Sequence, residues 1–254
     1  MKYLPCIELA TNGFVFFKAL TDSHFIYQPF PNEKFNTLYQ ELTVFFELSE
    51  NENREILVTL KNNQPPLLVP SSLYHAPAST YLKSQFDLED NDAIFNDDIE
   101  EYKSLYFYPK NRITPFTSSP LNTSFRHITS ALYQYLRQDN HGYFHKLVLF
   151  FRDLHTVDYV AIKNGKLLII NSFTYTSQHD ILYFVLNFTK QNDIYAEDFL
   201  ILLSGDVVSP QPLYEMLSQY LPHVKWATYN GNITIETSDR QPIDPYQCIH
   251  LLPF

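Results

Sequence analysis

The sequence predicts an α/β fold built from two successive subdomains, each running β-β-β-α-β-α-β. Three observations predict it. Asn-Gly pairs stand between alternating apolar segments at Asn12-Gly13 and Asn164-Gly165. In each half, the strands give way to apolar residues at helical spacing. Pro and Ser then concentrate in RITPFTSSPLNTS, Arg112 to Ser124, between the two copies of the element order. That composition places the boundary there, with 1–118 as the first subdomain and 119–254 as the second, linking helix and C-terminal tail included.

In the first half, strands are expected near 3–10, 14–20 and 24–28. IELATNGFVFFKAL reads as a hairpin, because Asn and Gly tolerate the positive φ that a two-residue turn demands. A helix follows from Asn32, with Phe35, Leu38, Leu42, Phe45 and Phe46 recurring on one face. EILVTL is the next strand, PSSLYHAPASTYLKSQF a proline-broken helix, and SLYFYP a further strand. A helix near 124–137, with Phe125, Ile128, Leu132, Tyr135 and Leu136 on one face, joins the halves.

The second half is read more directly. Strands are expected at 146–152, 157–163 and 166–174, followed by a helix near 177–192. Ser177 and Asp180 form a capping box at its start. DILYFVLNF is apolar nearly all round, which predicts a well-buried helix. DFLILLSGD is a short continuous apolar run, expected as an interior strand. Ser209-Pro210 opens the next helix. Its stripe is Leu213, Met216, Leu217, Tyr220 and Leu221, and Pro222 stops it. VKWATY is the final strand, ahead of a third Asn-Gly pair at Asn230-Gly231.

Composition bounds the function. Over 254 residues, 45% apolar and 18% charged describe an ordinary globular chain. The 21 Phe and 19 Tyr predict a core filled with rings. A net charge of −10 argues against nucleic acid, whose phosphates need Lys and Arg. No apolar run approaches the roughly 20 residues that a bilayer span needs. Cys6 and Cys248 are expected as reduced thiols, and the reading is a soluble cytoplasmic protein. The run DLEDNDAIFNDDIEE, Asp87 to Glu101, holds eight acidic residues and no basic one. It reads as a solvated loop or as a dock for a basic partner.

Metal chemistry finds little footing. His141 and His145 stand four apart, but Gly142 lies between them and no third ligand follows. Glu8, Asp153, Asp158 and Asp206 could be imagined as nuclease carboxylates, although spacing alone does not assemble them.

The phrases IELATNGFVFF, LLVPSSLYHAPASTYL, VAIKNGKLLIINSF and FLILLSGDVV together resemble a family of bacterial proteins, domain of unknown function 3822, with an actin-like ATPase fold. The resemblance covers nearly the whole chain. It implies two ribonuclease-H-like subdomains facing each other across a cleft, and no known activity. In the ATP-binding members of the wider superfamily, each half supplies an Asp-x-Gly phosphate bend after its first strand. A paired-glycine loop after the later strand supports adenosine. Phosphate oxygens want converging backbone N–H groups, which a Cβ obstructs.

Against that pattern, the first bend reads Glu8-Leu9-Ala10-Thr11, with Ala10 in place of glycine. The second reads Asp153-Leu154-His155, followed by Thr156, with His155 in place of glycine; counting back from Asn164-Gly165 instead puts Phe151 on the Asp position. The adenosine loop reads Ser204-Gly205-Asp206. The expectation is therefore a scaffold with a degenerate nucleotide cleft, no cofactor and no ATPase activity, which binds another protein through the acidic run or an aromatic patch. The alternative is an ATP binder using Mg, in which the Thr11, Thr156 and Ser204 hydroxyls replace missing backbone contacts. A third reading is a sensor for a smaller ligand.

Overall fold

The computed structural model describes residues 4–48, 55–118, 121–139, 142–143, 145–229 and 232–252. They form two compact units. Residues 1–131 and 231–243 group in the first, and 132–230 and 244–252 in the second.

The first unit opens on β1 (Cys6–Ala10), β2 (Gly13–Thr21) and β3 (His24–Pro31). The hairpin register pairs Ala10 with Gly13, so the turn residues are Thr11 and Asn12 rather than Asn12 and Gly13. Gly13 does not take a positive φ. A Cβ there would lie 2.3 Å from the Phe30 carbonyl oxygen, so this glycine permits β2 to press against β3. A 3₁₀ turn at Asn32–Thr37 leads into α1 (Leu38–Phe46), which buries Leu38, Leu42 and Phe46. Their neighbours are rings: Phe14 and Phe16 each lie 4.9 Å from Phe30, and Phe16 lies 5.5 Å from Phe46. β4 (Glu55–Lys61) then runs parallel to β1.

Between β4 and the next element of the main sheet stands an insertion: β5 (Leu67–Pro70), α2 (Ala78–Leu82), β6 (Asp92–Ile99) and β7 (Tyr102–Pro109). Its strands form a separate three-stranded sheet in the order β5-β7-β6. The chain returns through α3 (Lys110–Thr117) to β8 (Asn122–His127) and continues as α4 (Ile128–Gln138).

Two expectations are corrected here. The acidic run is a solvated loop only at its ends, because Asp92–Ile99 pairs along its length with β7. Ala93 and Phe95 pack on the first unit's core and Ile99 is buried, which outweighs the charge on the alternate positions. SLYFYP, in turn, belongs to this insertion. The fifth strand of the main sheet is β8, drawn from residues expected in a helix, and it pairs in parallel with β4.

The second unit follows the sequence closely: β9 (His145–Phe151), β10 (Thr156–Lys163), β11 (Lys166–Thr174), α5 (Gln178–Gln191), β12 (Phe199–Gly205), α6 (Pro210–Tyr220) and β13 (Val224–Trp226). Asn164 and Gly165 both take positive φ, 54° and 74°, as a two-residue hairpin turn demands. Asn230-Gly231 lies outside the described residues. β14 (Thr234–Glu236) then pairs with β3, so its segment groups with the first unit.

The two main sheets share one topology. The first runs β14-β3-β2-β1-β4-β8 and the second β11-β10-β9-β12-β13. Setting β14 aside, each places its strands in the order third, second, first, fourth, fifth. In both, the first strand is antiparallel to the second and parallel to the fourth.

One face of the second sheet buries Leu149, Phe151, Ile201 and Leu203 against Ile181 and Val185 of α5 and Leu213 of α6. The capping box of Ser177 and Asp180 is present. Helix α5 is not buried all round: Tyr183 is 73% exposed, because only one of its faces meets the sheet. Ser209 stands at the N-cap of α6, but its side chain makes no capping bond. The C-terminal segment buries Ile249, Leu251 and Leu252, and the His250 ring packs 4.9 Å from Phe150.

Candidate functional site

The first bend is built at the end of β1. Alternation turns Ile7 and Leu9 into the apolar core and Glu8 to the opposite face. Glu8 is buried, with its carboxylate 3.8 Å from Lys61 Nζ on β4. Ala10 is buried too, and its carbonyl accepts a bond from Arg112 Nη2 at 2.7 Å. The same nitrogen reaches the Gly13 carbonyl at 3.4 Å. Arg112 Nη1 donates to Asn32 Oδ1, and the guanidinium carbon stands 4.0 Å from the centre of the Phe35 ring. A cation held from several sides thus grips this bend by its carbonyl oxygens. Thr11 is exposed and donates to Asn63 Oδ1 at 3.5 Å. Burial pushes the nearby Tyr108 hydroxyl up to about 12, with Arg112 opposing and Glu8 adding to the shift.

The second bend is closed by its own residues. Arg152 N–H donates to the Thr156 carbonyl at 3.0 Å, and His155 N–H to Asp153 Oδ1 at 2.8 Å. Asp153 and His155 are exposed, and Thr156 is half-buried. Beneath them Arg152 and Asp158 form a buried, two-pronged ion pair, with Nε 2.9 Å from Oδ2 and Nη2 bonded to Oδ1. The Asp158 carboxylate is therefore engaged by a guanidinium.

The loop after β12 meets this bend. Asp206 N–H donates to the Phe151 carbonyl at 2.8 Å and Val207 N–H to the Gly205 carbonyl at 3.0 Å. Gly205 takes φ +89°, and a Cβ there would lie 2.4 Å from the Phe151 oxygen. Only glycine lets β12 leave the sheet so close to β9. Ser204 is buried, and its hydroxyl donates to the Tyr246 carbonyl at 2.6 Å.

Asp153, His155, Thr156, Ser204, Gly205 and Asp206 thus gather where β9 and β12 end, in the second unit. Glu8, Ala10 and Thr11 gather where β1 ends, in the first. His141 lies outside the described residues. Among the described residues, no group of three His, Cys, Asp or Glu side chains is placed to hold a metal ion. Cys6 and Cys248 are both buried thiols.

A cavity of about 320 Å³ opens beside the second bend. Phe151, Ile181 and Leu213 form its floor, each 1% exposed. Leu154 and Val208 stand at its mouth, 62% and 54% exposed, with Tyr175 beside them.

Sequence reasoning missed Arg112, which was read only as part of a boundary, and Asp97, which was read only as one of a run of charges. Asp97 Oδ2 accepts from His127 N–H at 2.9 Å and from the Ser130 hydroxyl, while Oδ1 accepts from the Tyr106 hydroxyl at 2.8 Å. It places a carboxylate at the start of α4, where the helix dipole favours one. Burial pushes its carboxyl group above the ordinary range, and the bonds from Ser130 and His127 pull against that. A residue six positions into a strand of another sheet offers no sequence signal of capping.

A family model described as a protein of unknown function, DUF3822, matches residues 2–224. The chain belongs to this family. Its fold is the actin-like ATPase fold. A protein of unknown function from Bacteroides thetaiotaomicron with that fold is similar at a TM-score of 0.66 and 16% identity, over 88% of this chain and 90% of that one. A chain of the PilM–PilN type IV pilus biogenesis complex is similar at a TM-score of 0.57 and 11% identity, over 98% and 94%. No curated protein matches significantly. Among the described residues, no helix is long and apolar enough to cross a membrane.

Proposed function

We propose that this DUF3822 member is a cytoplasmic scaffold that binds another protein, keeping the actin-like architecture without efficient nucleotide chemistry and without a cofactor. The observation that supports this most is the state of the second bend. A triphosphate needs N–H groups that converge on it and are open. The N–H groups of Arg152, His155 and Asp206 already have acceptors within the chain. Breaking them forfeits about 0.5–1.5 kcal/mol for each bond. Ala10 and His155 add side chains where a phosphate bend uses glycine, and Arg112 holds the first bend by its carbonyls. The Ser204 hydroxyl, needed by the ATP-binding alternative, is bonded to Tyr246. A protein partner fits the similarity to a chain drawn from a protein complex, and the charge of −10 disfavours nucleic acid.

A thermal scan with millimolar Mg·ATP tests the reading. A ligand at a hundred times its Kd stabilises by about 2.7 kcal/mol, or roughly 5–10 °C in a chain of this size. The expected result is no shift. A shift of that size would overturn the proposal.

A further inference from the structure

The cavity beside the second bend has an apolar floor, Leu154 and Val208 exposed at a mouth shared with Thr176, Ser177 and Ser209, and the Asp180 carboxylate bonded to its rim. We infer that it seats one apolar side chain of a partner polypeptide, flanked in that partner by Lys or Arg. This rests on the protein-binding reading above and gives it a place and a chemistry.

Size is the first ground. About 320 Å³ lies at the small end of the roughly 300–1,000 Å³ usual for ligand sites. Exposure is the second. Leu154 and Val208 hold large apolar side chains out over a buried apolar floor, a combination found at the centres of interfaces. A shallow seat of this kind suits one anchoring side chain with its backbone left outside.

Charge chooses the flanks. The Asp153 carbonyl accepts from the Tyr175 hydroxyl at 3.5 Å, and the Asp180 carboxylate accepts from Thr176 and Ser177. The Asp180 carboxylate therefore bonds two lining residues directly, and the charge of Asp153 is felt at a third, the Tyr175 hydroxyl. None of the lining residues is Lys or Arg, and the neighbouring Arg152 is buried against Asp158. Hydrogen bonds from the Thr176 backbone and side chain, and from Ser177, hold the Asp180 carboxyl down at about 2, so it is charged at neutral pH.

An anionic ligand is disfavoured on a separate ground. Pro210 and Pro212 remove two of the first N–H groups of α6, and the capping box already engages the start of α5.

The test pans the full chain against a random-peptide display library and measures an enriched peptide in solution. The variant is L154D/V208D, two exposed positions where the fold survives, as an unchanged melting curve would verify. The expected peptides share Leu, Phe or Met with Lys or Arg beside it. Their binding should weaken with salt and fall about tenfold or more in the variant. Peptides that bind the variant as well as the wild type would overturn the cavity assignment while leaving the protein-binding reading standing. No enrichment, or an acidic consensus, would also overturn the assignment. The Mg·ATP scan reads the underlying proposal independently in either case.

Discussion

The bends after β1 and after β9 occupy the same place in the same strand order, yet they are held in opposite ways. The first is gripped from outside by Arg112, about a hundred residues away in sequence, which bonds the carbonyls of Ala10 and Gly13. The second is closed from within by Asp153, His155, Thr156 and the Arg152–Asp158 pair. The third-second-first-fourth-fifth topology decides where each chain reverses, and different chemistry then fixes the reversal. Among the described residues, each unit also has one glycine where strands come too close for a Cβ: Gly13 against Phe30 and Gly205 against Phe151.

The glycines give the largest expected effects. Gly205→Ala must relieve a 2.4 Å approach between two central strands at a positive φ, and should cost more than about 4 kcal/mol. Gly13→Ala meets a similar approach, but without a positive φ and against the end of β3, beyond the residues that pair with β14. Its loss should be smaller. Urea unfolding of both variants checks the order, and equal losses would break the comparison.

The locks come next. Asp158→Ala leaves a buried guanidinium without its carboxylate and should cost about 3–5 kcal/mol, whereas the double variant R152M/D158L should recover most of it. Arg112→Ala removes half-buried bonds from the first bend and should cost about 2 kcal/mol, a fall of roughly 4–8 °C. Thermal unfolding of the three variants reads both. An Arg112 loss equal to that at Asp158 would mean that external and internal locks weigh the same.

The smallest effect concerns Asp97, and its sign follows from burial. The folded state raises its pKa above the ordinary 3.8, so the folded protein holds this proton more tightly than the unfolded chain. The stability it contributes is fully present below that value and is lost as pH rises through the folded pKa. Stability measured against pH should therefore show the advantage of wild type over Asp97→Asn narrowing as pH rises. An advantage that widens would contradict the burial of this carboxylate.

Legibility differed between the units for a physical reason. In the second, Asn164-Gly165 and the Ser177–Asp180 box are signals contained within four residues, and the strands and helices were read almost to their ends except VKWATY, of which only Val224–Trp226 is strand. In the first, β6 carries Asp97 and Asp98 on a strand whose apolar positions alternate weakly, so its charge hid its pairing with β7. β8 was misread because Phe125 falls in helical phase with Ile128 and Leu132, while its pairing with β4 lies some 67 residues away. The candidate site was legible as positions, since Ala10 and His155 mark missing glycines. Its partners were not, because Arg112, Lys61 and Tyr246 reach these loops from remote segments.

By itself, then, the sequence determined the doubled α/β element order and the absence of the usual glycines, because turns, caps and alternation are written in neighbouring residues. The tertiary structure alone decided which groups hold the bends, that Gly13 and Gly205 stand at close backbone approaches, and that the centre of the acidic run is a strand whose Asp97 caps α4. Those outcomes depend on which distant side chains meet, and contact at long range leaves no local mark.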